Sequence, residues 1–391
     1  MLENINDITI VGAGTMGREI AQVTLMAGYK KVTLNDIKEN VLKDASEYIK
    51  AGINKFASKG QLIKEDASVL FNRLNLEVDL KKAVEKTDFI IEAIPEVLQL
   101  KQELFQKIDN YAPRHCIFAS NTSSLKLTEI GETCGRQDKV IGMHFFIPIP
   151  VLRLIEIIRG KYTSNETVEK AVKLGKSLPA LQGKRITPVI QKETPGFIVN
   201  RLNCASCIYL NWLLDYSEEN NIPCDHIDAD VLNVQKMGPF AKWDYLGLDT
   251  IYNVLLYFTD VLSPAFKPGK KLTRLVKEGN LGRKTGKGIY KWKNGYPIVN
   301  TEEKCGLFDF ELFYAIQLNE GCRLLEEGVV NSYKEIDKAM IAGMNMPGPF
   351  KTGIKNYEKW ATKLEEFAEK TGIDYVRPCS LMKTGNFRDK E

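Results

Sequence analysis

A strand that runs straight into three spaced glycines constrains this chain more than any other feature. The apolar run Ile8-Thr9-Ile10-Val11 leads directly into Gly12-Ala13-Gly14-Thr15-Met16-Gly17. Gly12 permits a tight turn, Gly14 lets backbone approach a pyrophosphate, and Gly17 lets the following helix lie close to the strand. An amphipathic helix follows (Ile20, Val23, Thr24, Ala27), and a second strand ends in Asp36. An acidic side chain roughly 20 residues beyond the turn binds the adenosine ribose hydroxyls of NAD. Its charge opposes the 2′-phosphate of NADP. Gly12, Gly14, Thr15, Met16 and Gly17 are therefore the expected phosphate-binding residues, with Asp36 on the ribose. A glycine turn in an ordinary strand–helix unit is the plainer alternative, and the context of strand, helix and Asp36 disfavours it.

The first half continues to alternate. Strands are expected at Asp7–Val11, Lys31–Leu34, Phe89–Ala93, Cys116–Ala119 and Val140–Phe146. Between them come a long charged helical region through Asn72, a helix over Leu100–Asn110 and a short helix from Leu125. Such alternation implies a mostly parallel sheet covered on both faces. A further strand, Leu152–Ile158, follows Pro148-Ile149-Pro150 closely enough to return antiparallel. After Thr194-Pro195-Gly196 the pattern turns helical, with helices expected at Phe197–Tyr216, Ile227–Gln235, Trp243–Leu262 and Lys270–Glu278. A glycine-rich run from Leu281 to Tyr290 closes this part.

The remainder is helical and contains a repeat. Ile208-Tyr209-Leu210-Asn211, Ile227-Asp228 and Met237-Gly238-Pro239-Phe240 recur in order as Ile316-Gln317-Leu318-Asn319, Ile336-Asp337 and Pro347-Gly348-Pro349-Phe350. Three ordered matches favour duplication over chance likeness between helical regions. The expected fold class is α/β: an N-terminal Rossmann-like doubly wound sheet over 1–192, an all-α domain over 193–298, and a second, degenerate helical copy over 299–391.

Composition sets limits on partners. The 391 residues are 44% hydrophobic and 27% charged, with 54 basic and 50 acidic side chains. That balance suits a soluble globular protein, and no basic block invites nucleic acid. No apolar run approaches the roughly 20 residues that span a bilayer. Met1-Leu2-Glu3-Asn4 lacks the cationic and apolar segments of a signal peptide, so a cytoplasmic protein is expected. Eight cysteines are scattered. Cys204 and Cys207 form a C-x-x-C without a second pair at zinc spacing, which reads as buried thiols; no metal is expected. Of three histidines, His115 and His226 read as surface residues.

His144 is different. It interrupts the apolar strand Gly142-Met143-His144-Phe145-Phe146, where imidazole has no packing advantage. Glu156 lies between Ile155 and Ile157 on the next strand. If the two strands fold about Pro150 these positions face each other, with Cβ atoms about 5 Å apart. A carboxylate there fixes the ring tautomer and stabilises imidazolium while the other nitrogen exchanges a proton with substrate. A purely structural pair is the open alternative. The loop Ser120-Asn121-Thr122-Ser123-Ser124 follows a strand at its ligand-binding end; its hydroxyls bond a ligand or cap the next helix. Asn200 is a polar residue early in an apolar helix, placed to face a cleft.

Together these residues resemble the L-3-hydroxyacyl-CoA dehydrogenases, especially the 3-hydroxybutyryl-CoA type, from Ile8 to about Trp292. The motifs GAGTMG, IPEVLQLKQELF, SNTSSL, GMHFF, TPGFIVNR, MGPF with GLD, and GRKTGKGIY occur in order. The resemblance implies an NAD-dependent enzyme of fatty acid metabolism that reversibly oxidises a short (S)-3-hydroxyacyl-CoA. It makes His144 the catalytic base and Glu156 its orienting partner, and has Ser123 and Asn200 hydrogen-bond the reacting oxygen. It puts Glu96 and Lys101 on the nicotinamide-side ribose, and sets Lys55 and Lys59 where relatives contact CoA phosphates. A histidine, with an ordinary pKa of about 6.5, suits both reaction directions near neutral pH. The repeat resembles the second C-terminal copy of multifunctional relatives, whose fused hydratase would here be a separate enoyl-CoA hydratase. Since the surface joining two subunits in single-copy relatives would be met within one chain, a monomer with an internal pseudo-dimer is expected, a homodimer being the alternative. Other readings are a dehydrogenase of a free hydroxy acid, like gulonate dehydrogenase and lambda-crystallin, and a non-catalytic NAD-binding protein. The former branch ordinarily lacks the second copy; the latter would lack His144, Glu156, Ser123 or Asn200. Two residues depart from the family pattern. Ile147 replaces an asparagine beside the base, and Glu19 replaces a small residue where it could narrow the pyrophosphate site.

Overall fold

A computed structural model describes residues 5–60, 67–234 and 236–391. The N-terminal tetrapeptide, part of the charged region before Asn72, and Gln235 lie outside the described residues. The described residues divide into two compact units, one of 5–60 and 67–199 with 327–348 and Glu391, the other of 200–234 and 236–326 with 349–390.

The first unit is built on an eight-stranded sheet. Its strands are β1 (Asp7–Val11), β2 (Lys31–Asn35), β3 (Leu74–Glu77), β4 (Phe89–Glu92), β5 (Ile117–Ser120), β6 (Val140–Phe145), β7 (Ile155–Arg159) and β8 (Val189–Ile190). They lie in the order β3-β2-β1-β4-β5-β6-β7-β8. All neighbours are parallel except β6 and β7. Buried on both faces, β4, β5 and β6 consist wholly of buried residues, as the near-continuous apolar runs require. The expected doubly wound sheet and its antiparallel return are both present. β3 and β8 were not anticipated, and the strand expected from Leu152 begins at Ile155.

Around the sheet run α1 (Thr15–Met26), α2 (Glu39–Ser58), α3 (Ala67–Phe71), α4 (Leu80–Val84), α5 (Leu98–Tyr111), α6 (Leu127–Ile130) and α7 (Asn165–Ser177). The order of strands reverses at β1 and β4, and ligands of open α/β sheets bind beyond the carboxyl ends at that point.

The second unit is helical. It holds α8 (Val199–Glu219) from Asn200 onward, then α9 (Cys224–Val231), α10 (Pro239–Leu246), α11 (Leu248–Val261), the 3₁₀ turn Pro264–Phe266 and α12 (Lys270–Lys277). Gly247, with φ +102, breaks the single helix expected over Trp243–Leu262. Along the chain six elements then recur in the same order, all but α14 in this unit: α13 (Phe310–Glu326), α14 (Tyr333–Met344), α15 (Pro349–Gly353), α16 (Tyr357–Thr371), the 3₁₀ turn Asp374–Val376 and α17 (Ser380–Thr384). Side chains repeat as well. Asn211 donates to Lys267 O and accepts from Gly269 N, while Asn319 donates to Val376 O and Arg377 O and accepts from Cys379 N. Each asparagine thus ties its helix to the turn that precedes the last short helix.

The units do not follow the boundaries at 192 and 298. Residues 327–348 belong to the first unit because they complete its backbone hydrogen bonding: Gln191 N donates to Val329 O at 2.7 Å and Arg153 N to Ala342 O at 3.2 Å. Cys204 and Cys207 are buried thiols, and burial pushes Cys207 up to about 12. His115 is exposed as expected, whereas His226 is mostly covered and lies 3.3 Å from Glu303. Among the described residues, no helix is long and apolar enough to cross a membrane.

Candidate active site

The glycine turn follows its expected logic. Gly12 has φ +100, and a Cβ there would come within 2.6 Å of Ala93 O. On Gly17 a Cβ would lie 1.7 Å from Gly12 O, so helix and strand can approach this closely only without side chains. At Gly14 a Cβ would meet nothing within 4 Å. Gly14 and Thr15 are exposed, Met16 is half-buried, and Gly14 caps α1 without any side-chain bond. A helix N-terminus with open backbone donors stabilises a bound anion, so these residues fit a dinucleotide pyrophosphate. Asp36, just past β2, accepts from Ala13 N at 2.9 Å and from Lys38 N at 3.0 Å, which fixes its carboxylate beside the turn.

Glu19, which the sequence placed near the pyrophosphate site, is held by two hydrogen bonds. Only 4% exposed, it accepts from Tyr48 Oη at 3.0 Å and Ile149 N at 2.7 Å. Ile147, the other departure, is exposed.

A second cluster lies past β4 and β5. Glu92, wholly buried, accepts from Lys101 Nζ at 2.6 Å, Ser120 Oγ at 2.5 Å and Ile94 N at 2.8 Å. Lys101 also reaches Glu96 at 3.2 Å. Glu96 accepts from Thr122 Oγ1 at 2.5 Å, Ser123 N at 2.9 Å, Ser123 Oγ at 3.4 Å and Ser124 Oγ at 3.1 Å. Burial works to raise the Glu96 carboxyl, but Lys101 and these donors outweigh it and hold it below the ordinary value. Thr122 Oγ1 accepts from Leu125 N at 2.9 Å and so braces the loop, whereas α6 begins at Leu127 without the side-chain cap the sequence offered. Asn121 accepts from Phe145 N at 3.0 Å and so ties this loop to the end of β6. The sequence reading missed Glu92, Ser120, Asn121 and Thr122 as individual members. Glu92 had a signal, a carboxylate inside an apolar strand, of the same kind that singled out His144.

His144 and Glu156 are directly paired across the antiparallel β6–β7 ladder. Nδ1 of His144 lies 2.7 Å from Glu156 Oε2, with exposures of 6% and 0%. The other oxygen, Oε1, accepts from Ile198 N and Val199 N, both at 3.1 Å. An ionised carboxylate only accepts, so the proton of a neutral ring sits on Nδ1 and the lone pair on Nε2. The rings of Phe146 and Phe197 lie 4.5 and 5.5 Å from the imidazole. Phe197 and Gly196 both have positive φ, which delays the helix expected from Phe197 to Val199. This arrangement can act as a proton acceptor with a built-in counter-ion. The first unit therefore contains Gly12, Gly14, Thr15, Met16, Gly17, Asp36, Glu96, Lys101, Ser123, His144 and Glu156. Asn200 opens the second unit as a half-buried residue in the first turn of α8.

Two family models match the chain. The 3-hydroxyacyl-CoA dehydrogenase NAD binding domain covers residues 7–189, and the C-terminal domain of the same family covers 196–292. The mitochondrial hydroxyacyl-coenzyme A dehydrogenase of Rattus norvegicus is 39% identical over 298 residues, 74% of this chain and 92% of that protein. A probable 3-hydroxybutyryl-CoA dehydrogenase of Bacillus subtilis is 34% identical over 299 residues, covering 74% and 98%. The crystal structure of 3-hydroxybutyryl-CoA dehydrogenase from Escherichia coli K12 is similar with a TM-score of 0.85 at 25% identity, covering 98% of both chains.

Proposed function

The chain belongs to the 3-hydroxyacyl-CoA dehydrogenase family of NAD-dependent enzymes, and on that premise we propose that it interconverts a short (S)-3-hydroxyacyl-CoA and its 3-ketoacyl-CoA. 3-Hydroxybutyryl-CoA and acetoacetyl-CoA are the expected pair, in keeping with the relatives named for that substrate. The buried His144–Glu156 pair is the observation that carries the reading.

Bound NAD⁺ supplies the hydride acceptor. His144 Nε2 takes the 3-hydroxyl proton as the hydride departs from C3, and Glu156 stabilises the imidazolium so formed. In the opposite direction imidazolium protonates the alkoxide developing at C3. Ser123 and Asn200 hydrogen-bond that oxygen. Gly12, Gly14, Thr15, Met16 and Gly17 present backbone to the pyrophosphate, and Asp36 takes the adenosine ribose. Glu96 takes the other ribose, with Lys101 against it.

The test is NADH oxidation with acetoacetyl-CoA against free acetoacetate. Turnover of the thioester alone is expected, and preference for the free acid would overturn the substrate class. We also propose that 299–391 is a degenerate second copy of 193–298 and that the protein is a monomer. Contacts between the copies inside the second unit support this: Trp212 on Phe367 at 5.2 Å and Phe266 on Tyr375 at 5.1 Å. Light scattering that gives a stable dimer would refute it.

A further inference from the structure

Arg201, the neighbour of Asn200 in the first turn of α8, is only 1% exposed. Its Nε donates to Glu320 of α13 at 2.7 Å. Glu320, also 1% exposed, accepts in addition from Arg323 at 3.0 Å and from Tyr375 Oη at 2.9 and 3.1 Å. A cation from the first helical copy thus meets a carboxylate of the second inside one compact unit.

The repeat makes this pairing informative, because two equivalent contacts were available and only one is ionic. The alignment of Asn211 with Asn319 sets Trp212 opposite Glu320, and Trp212 stacks on Tyr209 and Tyr216 instead. At the start of α13, in place of a buried arginine, Asp309 caps Leu312 N at 2.9 Å and receives Lys363 at 2.7 Å. An ion pair that served only to join the copies has no reason to sit at one end alone. It sits beside Asn200.

We propose that Glu320 is a positioning residue: by clamping Arg201 it holds the first turn of α8 so that Asn200 meets the reacting oxygen. This rests on the role proposed for Asn200 above. A buried guanidinium without its carboxylate draws water and loosens the turn that carries it. Asn200 would then lose its aim at the charge that develops in the transition state, which lowers kcat more than it raises KM.

The test compares Glu320→Gln with Asp309→Ala, which disturbs the reciprocal position. Steady-state reduction of acetoacetyl-CoA is measured with NADH affinity and thermal unfolding. Glu320→Gln is expected to lower kcat at least tenfold with NADH affinity within twofold, whereas Asp309→Ala lowers Tm and leaves kcat within twofold. Should Glu320→Gln not fold, Tyr375→Phe removes a neutral donor from the same carboxylate and is expected to lower kcat two- to fivefold. Unchanged kcat in a folded Glu320→Gln protein, or in Tyr375→Phe, overturns the proposal. Amide exchange at residues 203–206, which bond to the first-turn carbonyls, is followed in parallel. If the unaltered protein does not turn over acetoacetyl-CoA, the proposed function falls. Exchange no faster in Glu320→Gln then overturns the clamp by itself.

Discussion

Glu156 and Glu320 are both shut away from solvent, and both oxygens of each accept hydrogen bonds. Their partners separate them. Glu156 faces an imidazole, a ring that can carry a proton on either or both nitrogens, and two backbone N–H groups that fix it in place. Glu320 faces two guanidiniums, which never give up their protons, and a phenol that burial pushes far above its usual range. A buried carboxylate is therefore no mark of chemistry by itself. The titration of what it holds decides whether it can take part in a proton transfer or only aim something else.

The most severe way to break this contrast is to remove the imidazole. His144→Ala is expected to lower kcat by a factor on the order of 10²–10⁴ while NADH affinity is retained, as read by steady-state kinetics and fluorescence titration. A slow rate that His144→Ala leaves untouched would make the pair structural.

Charge replacement sharpens the comparison next. Glu320→Ala alone should destabilise by about 3–5 kcal/mol, because it removes the carboxylate from a buried ion pair. The double variant Arg201→Met/Glu320→Met should recover part of that stability in denaturant melts, since an apolar pair can replace a buried ion pair but Arg323 and Tyr375 still lose their carboxylate. No apolar replacement of His144 and Glu156 should recover turnover.

Glu96 offers an intermediate case. Its folded pKa is depressed below 4.5, so its contribution to stability is present above that value and is lost as pH falls through the depressed one. Glu96→Gln should remove that acid sensitivity in Tm measured across pH and weaken NADH binding about tenfold.

The smallest expected effect concerns Asp228. It accepts from Phe240 N, Ala241 N and Tyr290 Oη, yet burial pushes it up to about 6. Because that exceeds the unfolded value near 3.8, this group's contribution to stability declines as pH rises between the two values and is level above. Asp228→Asn should flatten Tm over that interval, and an unchanged slope there would reject the assignment.

Much of this was readable from residues. Gly12, Gly17 and Asp36 declare a strand–turn–helix with its acidic partner because each obeys a local steric or charge rule. The facing of His144 and Glu156 followed from a short proline-marked turn and strand alternation. What failed depended on distant context. β3 (Leu74–Glu77) alternates weakly and lies beside β2 only because the crossover returns there. Gly247 broke a helix whose apolar pattern runs through it, since the break relies on a positive φ that the pattern does not encode. Asn121 and Thr122 looked interchangeable with their neighbours until Phe145 N and Leu125 N chose between them. The Arg201–Glu320 clamp joins residues over a hundred positions apart, and neither stands out from the charges around it.

The stitching of residues 327–348 into the first unit means that the helical tail cannot be shed like an ornament. A protein ended near residue 298 would leave the amides of Gln191 and Arg153 without Val329 O and Ala342 O. It would also uncover Leu154, against which a side chain at Gly343 would come within 2.7 Å. Leu154 and Arg153 immediately precede the strand that bears Glu156, so ending the chain there would unsettle the approach to the proposed catalytic pair.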